Sequence, residues 1–328
     1  MKTRSSVGEP SLKGVGAMPE KSLLFIHALT SLHPGSGTAL GTVDMPVQRE
    51  RHTNWPIIPG SALKGVLRDR CREEVFNSKA EDAQRSRGEI NEKDDDLVAA
   101  FGPGKIEGEG DSHAGALSFT DARLLAYPVR SIKGVFAWVT CPAVLERFNR
   151  DLKLAERDPI GTIPNPEKSK AYCKSDSPLL IANNDLVLEE FDFQRVGDAD
   201  VVANQIAEFV TPDGDTRESI KKRLVVLNDD DFTHFAQYAT EVLARIGLNY
   251  DTKTVKTGAL FYEEFLPPET VFYSVVIASE SRFTKVTKDA AGILEYLKKN
   301  LPEYLQIGAD ETIGKGICAV RLANGQGA

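Results

Sequence analysis

The chain has 328 residues, 41% of them hydrophobic, and a formal net charge of −8. That is enough apolar material for one elaborated domain or two small ones, at ~100–200 residues per domain. No run of ~18 apolar residues is present, so no membrane-crossing helix is expected. The first 20 residues lack the apolar stretch of a secretory signal.

Residues 1–17 are expected to be a flexible tail or upstream extension, with Met18 a candidate start just before the first strand. The cysteines, Cys71, Cys141, Cys173 and Cys318, are far apart and form no C-x-x-C. Neither a zinc site nor a redox pair is signalled, and reduced thiols in a cytoplasmic protein are expected. The charge is unevenly placed: residues 1–75 balance to +3, 76–115 to −5, 116–150 to +3 and 151–249 to −8. A phosphate backbone senses charge within ~8–10 Å, so an acidic total does not exclude RNA.

Residues 22–30 (SLLFIHALT) read as a buried strand. A Gly/Pro-rich stretch from Leu32 to Gly60 follows, and long loops in compact domains are usually functional or disordered. Ser61 reads as the N-cap of a helix over 62–75, with Leu63, Val66, Leu67 and Val75 on its apolar side. Lys64, Arg68 and Arg72 form a basic row at four-residue spacing, which as a lone feature reads equally as a solvated face. Residues 76–115, with acids at Asp94 to Asp96, read as a mobile insertion.

Strands are expected near 116–125 and 134–140, joined by a turn carrying Arg130 and Lys133, and a helix over 142–155. Residues 156–230 read as a second insertion, with strands near 186–194 and 223–227. A helix fits 231–246, and 253–265 reads as a hairpin turning near Gly258. Strand 271–279, helix 288–300, a glycine-rich loop and strand 317–322 close the chain. The element order suggests an α+β, ferredoxin-like sheet with large insertions in a single domain over 18–328.

Two segments carry chemistry. From His33 to Gly65, Gly35, Gly37 and Gly41 let the backbone bend and approach a ligand, while His33 and Asp44 bracket the arc and Arg49, Arg51 and His52 follow. Cutting RNA requires activation of a 2′-hydroxyl and an offset for growing phosphate charge. Asp can act as base or hard-cation ligand, and Arg offers a planar fork to phosphate. By composition alone a plain structural loop is the stronger reading. From Ile307 to Val320, Gly308, Gly314 and Gly316 surround Lys315, and exposed N–H groups in such a loop can receive phosphate oxygens. The Walker order GxxxxGK[ST] is absent.

Taken together, the HPGSG…VD…QRERHTN run, the GSALKG helix start, DARLLAYPVRSIKGVFAWVTCP, TGALFYEEFLPPETVFY and ETIGKG resemble the RAMP superfamily of CRISPR proteins. Within it they resemble the backbone subunit of the type III-B Cmr complex. The resemblance runs from about Met18 to the end and is diluted in 76–115 and 156–230.

It implies a palm like an RNA-recognition motif, with copies stacked as a filament along CRISPR guide RNA beside other Cmr subunits. It also implies a thumb hairpin that distorts the guide–target duplex at regular spacing, for which 250–268 and 156–195 are both candidates. Asp44 aligns with the family's cleaving aspartate, which acts with a divalent cation, expected to be Mg2+. His33 aligns with a loop histidine in a supporting catalytic role. Arg49, Lys64, Arg68, Arg130, Ser131, Lys133, Gly314, Lys315 and Gly316 are the expected guide-RNA contacts, and specificity comes from base pairing.

Phe261 and Tyr262 read as base wedges or as ordinary strand packing. His52 contacts RNA or a neighbouring subunit, and His113 and His234 are assigned no role. The alternatives are a non-cutting scaffold of the same or a type III-A complex, and a standalone ribonuclease that processes CRISPR transcripts. No membrane partner is expected.

Overall fold

The computed structural model describes residues 18–39, 41–78, 86–104 and 112–323. The expected tail over 1–17 lies outside the described residues, as do parts of 76–115. In chain order the elements are β1 (Glu20–Ala28), β2 (Ile57–Ile58), α1 (Gly60–Ser78), α2 (Arg87–Lys93), α3 (Asp95–Phe101), β3 (Leu117–Phe119), β4 (Ala122–Arg130), β5 (Phe136–Thr140), α4 (Pro142–Leu154), β6 (Lys170–Cys173), β7 (Asp185–Leu188), β8 (Phe191–Gly197), α5 (Asp200–Val210), α6 (Gly214–Arg223), β9 (Leu224–Leu227), α7 (Asp229–Tyr238), β10 (Glu241–Leu248), β11 (Val255–Phe265), β12 (Val271–Ala278), α8 (Ala290–Asn300), β13 (Tyr304–Gln306) and β14 (Ile317–Leu322).

The fold is mixed α/β. Its large sheet runs β13–β14–β1–β12–β4–β5–β9–β6–β8–β7, with β2 added on β4 and β3 on β12. Most neighbours are antiparallel, while β5–β9 and β6–β8 are parallel. β10 and β11 form a separate two-stranded sheet.

β1 lies between β14 and β12 and is buried from Leu23 to Ala28. A strand buried on both faces must be apolar at successive positions, and LLFI meets that demand. Phe25 meets Phe148 of α4 edge-on at 6.1 Å and stacks on Phe209 of α5 at 5.6 Å. The sequence motifs have local reasons. Asp121 accepts the backbone N–H of Gly60 at 2.8 Å, which ties the DAR run to the start of α1. A Cβ on Gly60 would stand 2.4 Å from the Phe119 carbonyl oxygen, so only glycine fits there. Burial pushes the Cys71 and Cys318 thiols up to about 12, leaving them unreactive.

Four expectations are corrected. α1 begins at Gly60, so Ser61 lies inside it and is not its N-cap. The described part of 76–115 is not a mobile insertion: α2 and α3 form there, and Leu97 to Phe101 are buried. The helix expected over 231–246 stops at Tyr238, and 241–248 is strand β10. Its alternating exposure is that of a hairpin strand, which the isolated periodicity did not reveal. Gly258 is not the hairpin turn: it lies inside β11 with φ +76°, and the turn occupies 249–254.

The Asp94 carboxylate caps α3 by accepting the Leu97 N–H at 3.0 Å and is 8% exposed. Asp94→Ala is expected to lower unfolding free energy by about 1 kcal/mol, and Asp95→Ala by no more than about 0.5 kcal/mol. Urea denaturation checks this, and equal losses would return the acidic run to a solvated charge cluster.

Candidate nucleic-acid interface

The arc after β1 is held at its two ends and exposed between them. Ser31 to Pro34 are buried, residues 35–39 and 41–42 are exposed, and Val47 is buried again. The last residues of β11 hold both ends. Leu32 and Leu266 exchange backbone hydrogen bonds of 2.9 Å, and Glu264 donates its N–H to the Met45 carbonyl at 3.0 Å. The Tyr262 carbonyl accepts the N–H groups of both Asp44 and Met45, at 3.1 and 3.0 Å. The arc therefore runs along the free edge of the hairpin's second strand.

Asp44 is half-buried on that edge. Its Oδ2 accepts the Tyr262 N–H at 2.7 Å. Among the described residues nothing is hydrogen-bonded to Oδ1. His33 is only 1% exposed. Its Nδ1 donates to the Glu264 carbonyl at 2.6 Å, and Nε2 lies 3.7 Å from Glu263 Oε1. Direct contact between His33 and a polynucleotide, as a catalytic reading requires, is blocked in this conformation, and its position is that of a strut under the arc.

Arg49 is likewise interior. Its guanidinium donates to the Asn54 and Ala236 carbonyls at 2.9 Å and to Glu264 Oε1 at 2.6 Å. With a further bond to the Gln237 carbonyl at 3.4 Å, four of its five N–H donors are engaged within the protein, so in this structure Arg49 holds the arc and does not present an open fork to phosphate as expected. Glu264 also accepts the Val47 N–H at 3.0 Å. One buried carboxylate thus fastens the arc at two points.

The loop at 308–316 packs beneath. Ala309 donates to the His33 carbonyl at 3.0 Å, and a Cβ on Gly308 would lie 2.4 Å from the same oxygen. The amides of Gly314, Lys315 and Gly316 donate to the carbonyls of Glu311, Asp310 and Ser31. They are spent inside the protein, so the expected reception of guide phosphates by these N–H groups is corrected. The Lys315 ammonium sits 4.9 Å from the centre of the Phe265 ring.

Arg245 of β10 ties this loop to the hairpin, reaching Glu263 and Asp310 at 2.9 Å each. Burial and the neighbouring Asp310 hold the Glu263 carboxyl above its ordinary value, opposed by His33 and Arg245. Glu263, Glu264, Arg245 and Asp310 were not picked out from the sequence. The available signal was two adjacent acids, FYEEF, at the apolar end of a strand.

The remaining predicted contacts lie elsewhere. On α1, Lys64 donates to the Leu117 carbonyl at 3.1 Å. Burial, then the charge of Arg68, pushes the Lys64 ammonium down, and burial followed by Arg72 does the same for Arg68.

Arg130 is exposed but paired with Glu189 at 3.0 Å. Ser131 is buried with its hydroxyl on the Val187 carbonyl, and Lys133 donates to the Leu180 carbonyl at 2.5 Å. Ser131 is therefore corrected to a turn-forming residue. Among the described residues no three His, Cys, Asp or Glu side chains converge as a metal site. Asp44 alone suits magnesium in one sense: that ion often takes one or two carboxylates and fills its octahedron with water and substrate phosphate.

The RAMP superfamily model matches residues 25–319. The CRISPR system Cmr endoribonuclease Cmr4 of Pyrococcus furiosus is 39% identical over 304 residues, covering 92% of this chain and 95% of that protein. The CRISPR system CMR subunit Cmr4 of Saccharolobus solfataricus is 30% identical over 92% of this chain and 96% of its own. The crystal structure of oligomeric Cmr4 from Pyrococcus furiosus superposes with a TM-score of 0.67 at 29% identity, covering 95% of this chain and all of that one.

Protonated Glu263 is favoured in the folded state, so wild-type stability is expected to fall as pH rises from about 4.5 through the group's raised value. Glu263→Gln is expected to flatten that fall in urea unfolding measured across the interval. An unchanged pH slope would contradict the assignment. The match along nearly the whole chain, and the relatives that share it, place this protein in the RAMP superfamily, among its Cmr4 subunits.

Proposed function

We propose that this chain is a guide-RNA-binding backbone subunit of a type III-B CRISPR complex in the cytoplasm, stacking with copies of itself and cutting guide-paired target RNA. The observation that carries the reading is Asp44, held on the edge of β11 at the end of an exposed arc, with one carboxylate oxygen fixed and the other not bonded within the described chain. The relative named an endoribonuclease is aligned across 92% of this sequence.

The run β14–β1–β12–β4, with α1 and α8 in the connections, is read as the ferredoxin-like palm of one domain over 18–328. The order fourth–first–third–second, all antiparallel, supports it. The β10–β11 hairpin is read as the thumb, in place of the 156–195 alternative. Ile246 faces Leu260 and Ala244 faces Tyr262 across it, and these side chains are exposed. An apolar stripe beginning beside Asp44 is suited to unstacking bases, and Tyr262 is the wedge nearest the carboxylate. Lys64 and Arg68 are retained as guide-phosphate contacts, and Lys315 and Lys133 as weaker candidates.

In this mechanism the hairpin splays one target nucleotide, allowing the 2′-oxygen to line up with the adjacent phosphate, a geometry that a regular helix forbids. Asp44 Oδ1 takes the 2′-hydroxyl proton as the 2′-oxygen bonds to phosphorus, the bond from phosphorus to the 5′-oxygen of the next nucleotide breaks, and that oxygen leaves with a proton from water, so the products are a 2′,3′-cyclic phosphate and a 5′-hydroxyl. His33 and Glu264 position the arc without touching RNA. A divalent cation, Mg2+ in the expected case, held by Asp44 and RNA phosphate would supply Lewis-acid stabilisation of the phosphate charge.

A non-cutting scaffold is the second reading, favoured by the Asp44–Tyr262 hydrogen bond, which also suits a carboxylate that merely fixes the arc. Asp44→Asn separates the two, since the amide oxygen still accepts from Tyr262 N–H while the base is lost. Cleavage in the assembled complex is expected to fall by about 10²–10⁴-fold, with guide binding within about twofold of wild type. Cutting at the same sites and near the same rate would sink the catalytic assignment. Lys64→Glu with Arg68→Glu is expected to weaken all guide sequences alike and to reduce the salt slope. A loss confined to certain guides, in filter binding, would contradict phosphate recognition.

A further inference from the structure

Three arginines far apart in the sequence gather around the C-terminal end of α5. Arg321 faces Phe25 across the β14–β1 pairing, and its Nη1 donates to the Glu208 and Phe209 carbonyls in the last turn of that helix. Arg217 of α6 donates its Nε to the Thr211 carbonyl, just past the same helix, at 2.6 Å. Arg157 arrives from the end of α4. There Glu156 is left-handed, with φ +56°, and the Arg157 N–H returns to the Leu152 carbonyl at 2.9 Å, a turn that closes many helices. Burial, then the charges of Arg217 and Arg157, push the Arg321 guanidinium down, and burial does the same for Arg157.

No carboxylate answers these charges. Among the described residues the three arginines have no ion pair, and the Arg157 side chain makes no hydrogen bond. Glu156 is paired with Lys21 at 2.6 Å, and Asp213 caps α6 by accepting the Thr216 N–H at 2.7 Å. The end of α5 supplies about half a negative charge, against three full positive ones. The unbonded nitrogens are Nε and both Nη of Arg157, both Nη of Arg217, and Nε and Nη2 of Arg321, and none is sealed from solvent. Carbonyl bonds account for Arg217 and Arg321 at this place, but they do not account for Arg157.

We propose that Arg157, Arg217 and Arg321 form a binding site for a terminal phosphate group, carried by the end of an RNA strand or by free phosphate. A carboxylate has two oxygens and fills one guanidinium fork. A terminal phosphate offers three peripheral oxygens and nearly two negative charges, so it can engage three forks together. Recognition is of the phosphate alone: Phe209, whose carbonyl Arg321 holds, has its ring engaged by Phe25 and Phe148. The site shares no residue with Asp44 or with Lys64 and Arg68, and it stands apart from the function proposed above.

The test uses the full chain loaded with guide RNA, so that its guide contacts are filled. Fluorescence anisotropy follows an octauridine labelled at its 3′ end, and thermal unfolding follows inorganic phosphate. The 5′-phosphorylated oligomer is expected to bind roughly tenfold or more tighter than the 5′-hydroxyl form. Inorganic phosphate is expected to raise the unfolding temperature. Arg157→Ala removes a side chain with no bond in the protein, so its unfolding temperature without phosphate is expected to match wild type. Both phosphate effects are expected to be lost in it, and Arg157→Lys is expected to restore them only in part, because an ammonium is a point charge without a fork. A 5′-phosphate preference assigns the site to an RNA end, and stabilisation by inorganic phosphate without that preference assigns it to free phosphate. Neither effect in wild type, or both undiminished in Arg157→Ala, overturns the site. Hexaglutamate that displaces the oligomer or raises the unfolding temperature as readily as phosphate also overturns it and assigns the arginines to an acidic protein segment.

Discussion

The hold of β11 on the arc after β1 is the constraint on which the rest depends. Three alternate residues, Tyr262, Glu264 and Leu266, present backbone groups and a carboxylate to residues 32–49. A glycine-rich arc left to itself would sample many conformations, at ~1–2 kcal/mol of backbone entropy for each residue fixed. Here that cost is met by hydrogen bonds whose acceptors are largely removed from water. Glu264, 7% exposed, is paired with Arg49 at 2.6 Å, and this pair joins the arc to the strand. The same strand belongs to the hairpin proposed as the thumb, so the part proposed to distort RNA and the part that holds the carboxylate lie on one element.

Charge is sorted by place. Lys64 and Arg68 are neighbouring half-buried cations on α1, each pushed down by burial and by the next charge along the helix. The excess acid of 151–249 contributes to the rim of the groove formed by α7, the β7–β8 turn and the residues before β10. A net charge of −8 and an RNA-binding role are therefore compatible, because the acid is concentrated in segments other than the one that carries Lys64 and Arg68. Of the cationic side chains most visible in the sequence, Arg49 is engaged by carbonyls and Glu264, whereas Arg130 stays exposed beside Glu189.

Much of the fold was legible because strong local signals agreed with it. The apolar run at 22–30, the helix from the GSALKG start and the final strand–helix–strand unit formed within a few residues of their expected bounds. What failed did so for tertiary reasons. The span 231–246 looks helical in isolation, but pairing with β11 turns its second half into a strand. The acids at 94–96 look solvated until Asp94 caps α3 and Asp96 pairs with Lys288 at 2.7 Å. At the site, Asp44 and His33 were visible as motif residues. Their divided roles were not, because burial of His33 depends on Glu264 and Gly308, more than 200 residues away. The amides of 314–316 were misjudged because a sequence does not say which N–H groups a loop spends on itself.

The most direct measurement is a cryo-EM structure of the assembled chain with guide and a non-cleavable target RNA, reading the distance from Asp44 to the distorted nucleotide. The account requires Asp44 Oδ1 within about 3 Å of the blocked 2′-position or its adjacent phosphate, directly or through one bridging ligand, with the Tyr262 bond retained. An arc packed away from the polynucleotide, with the carboxylate more than about 7 Å from any ribose and no bridging atom between them, would contradict it.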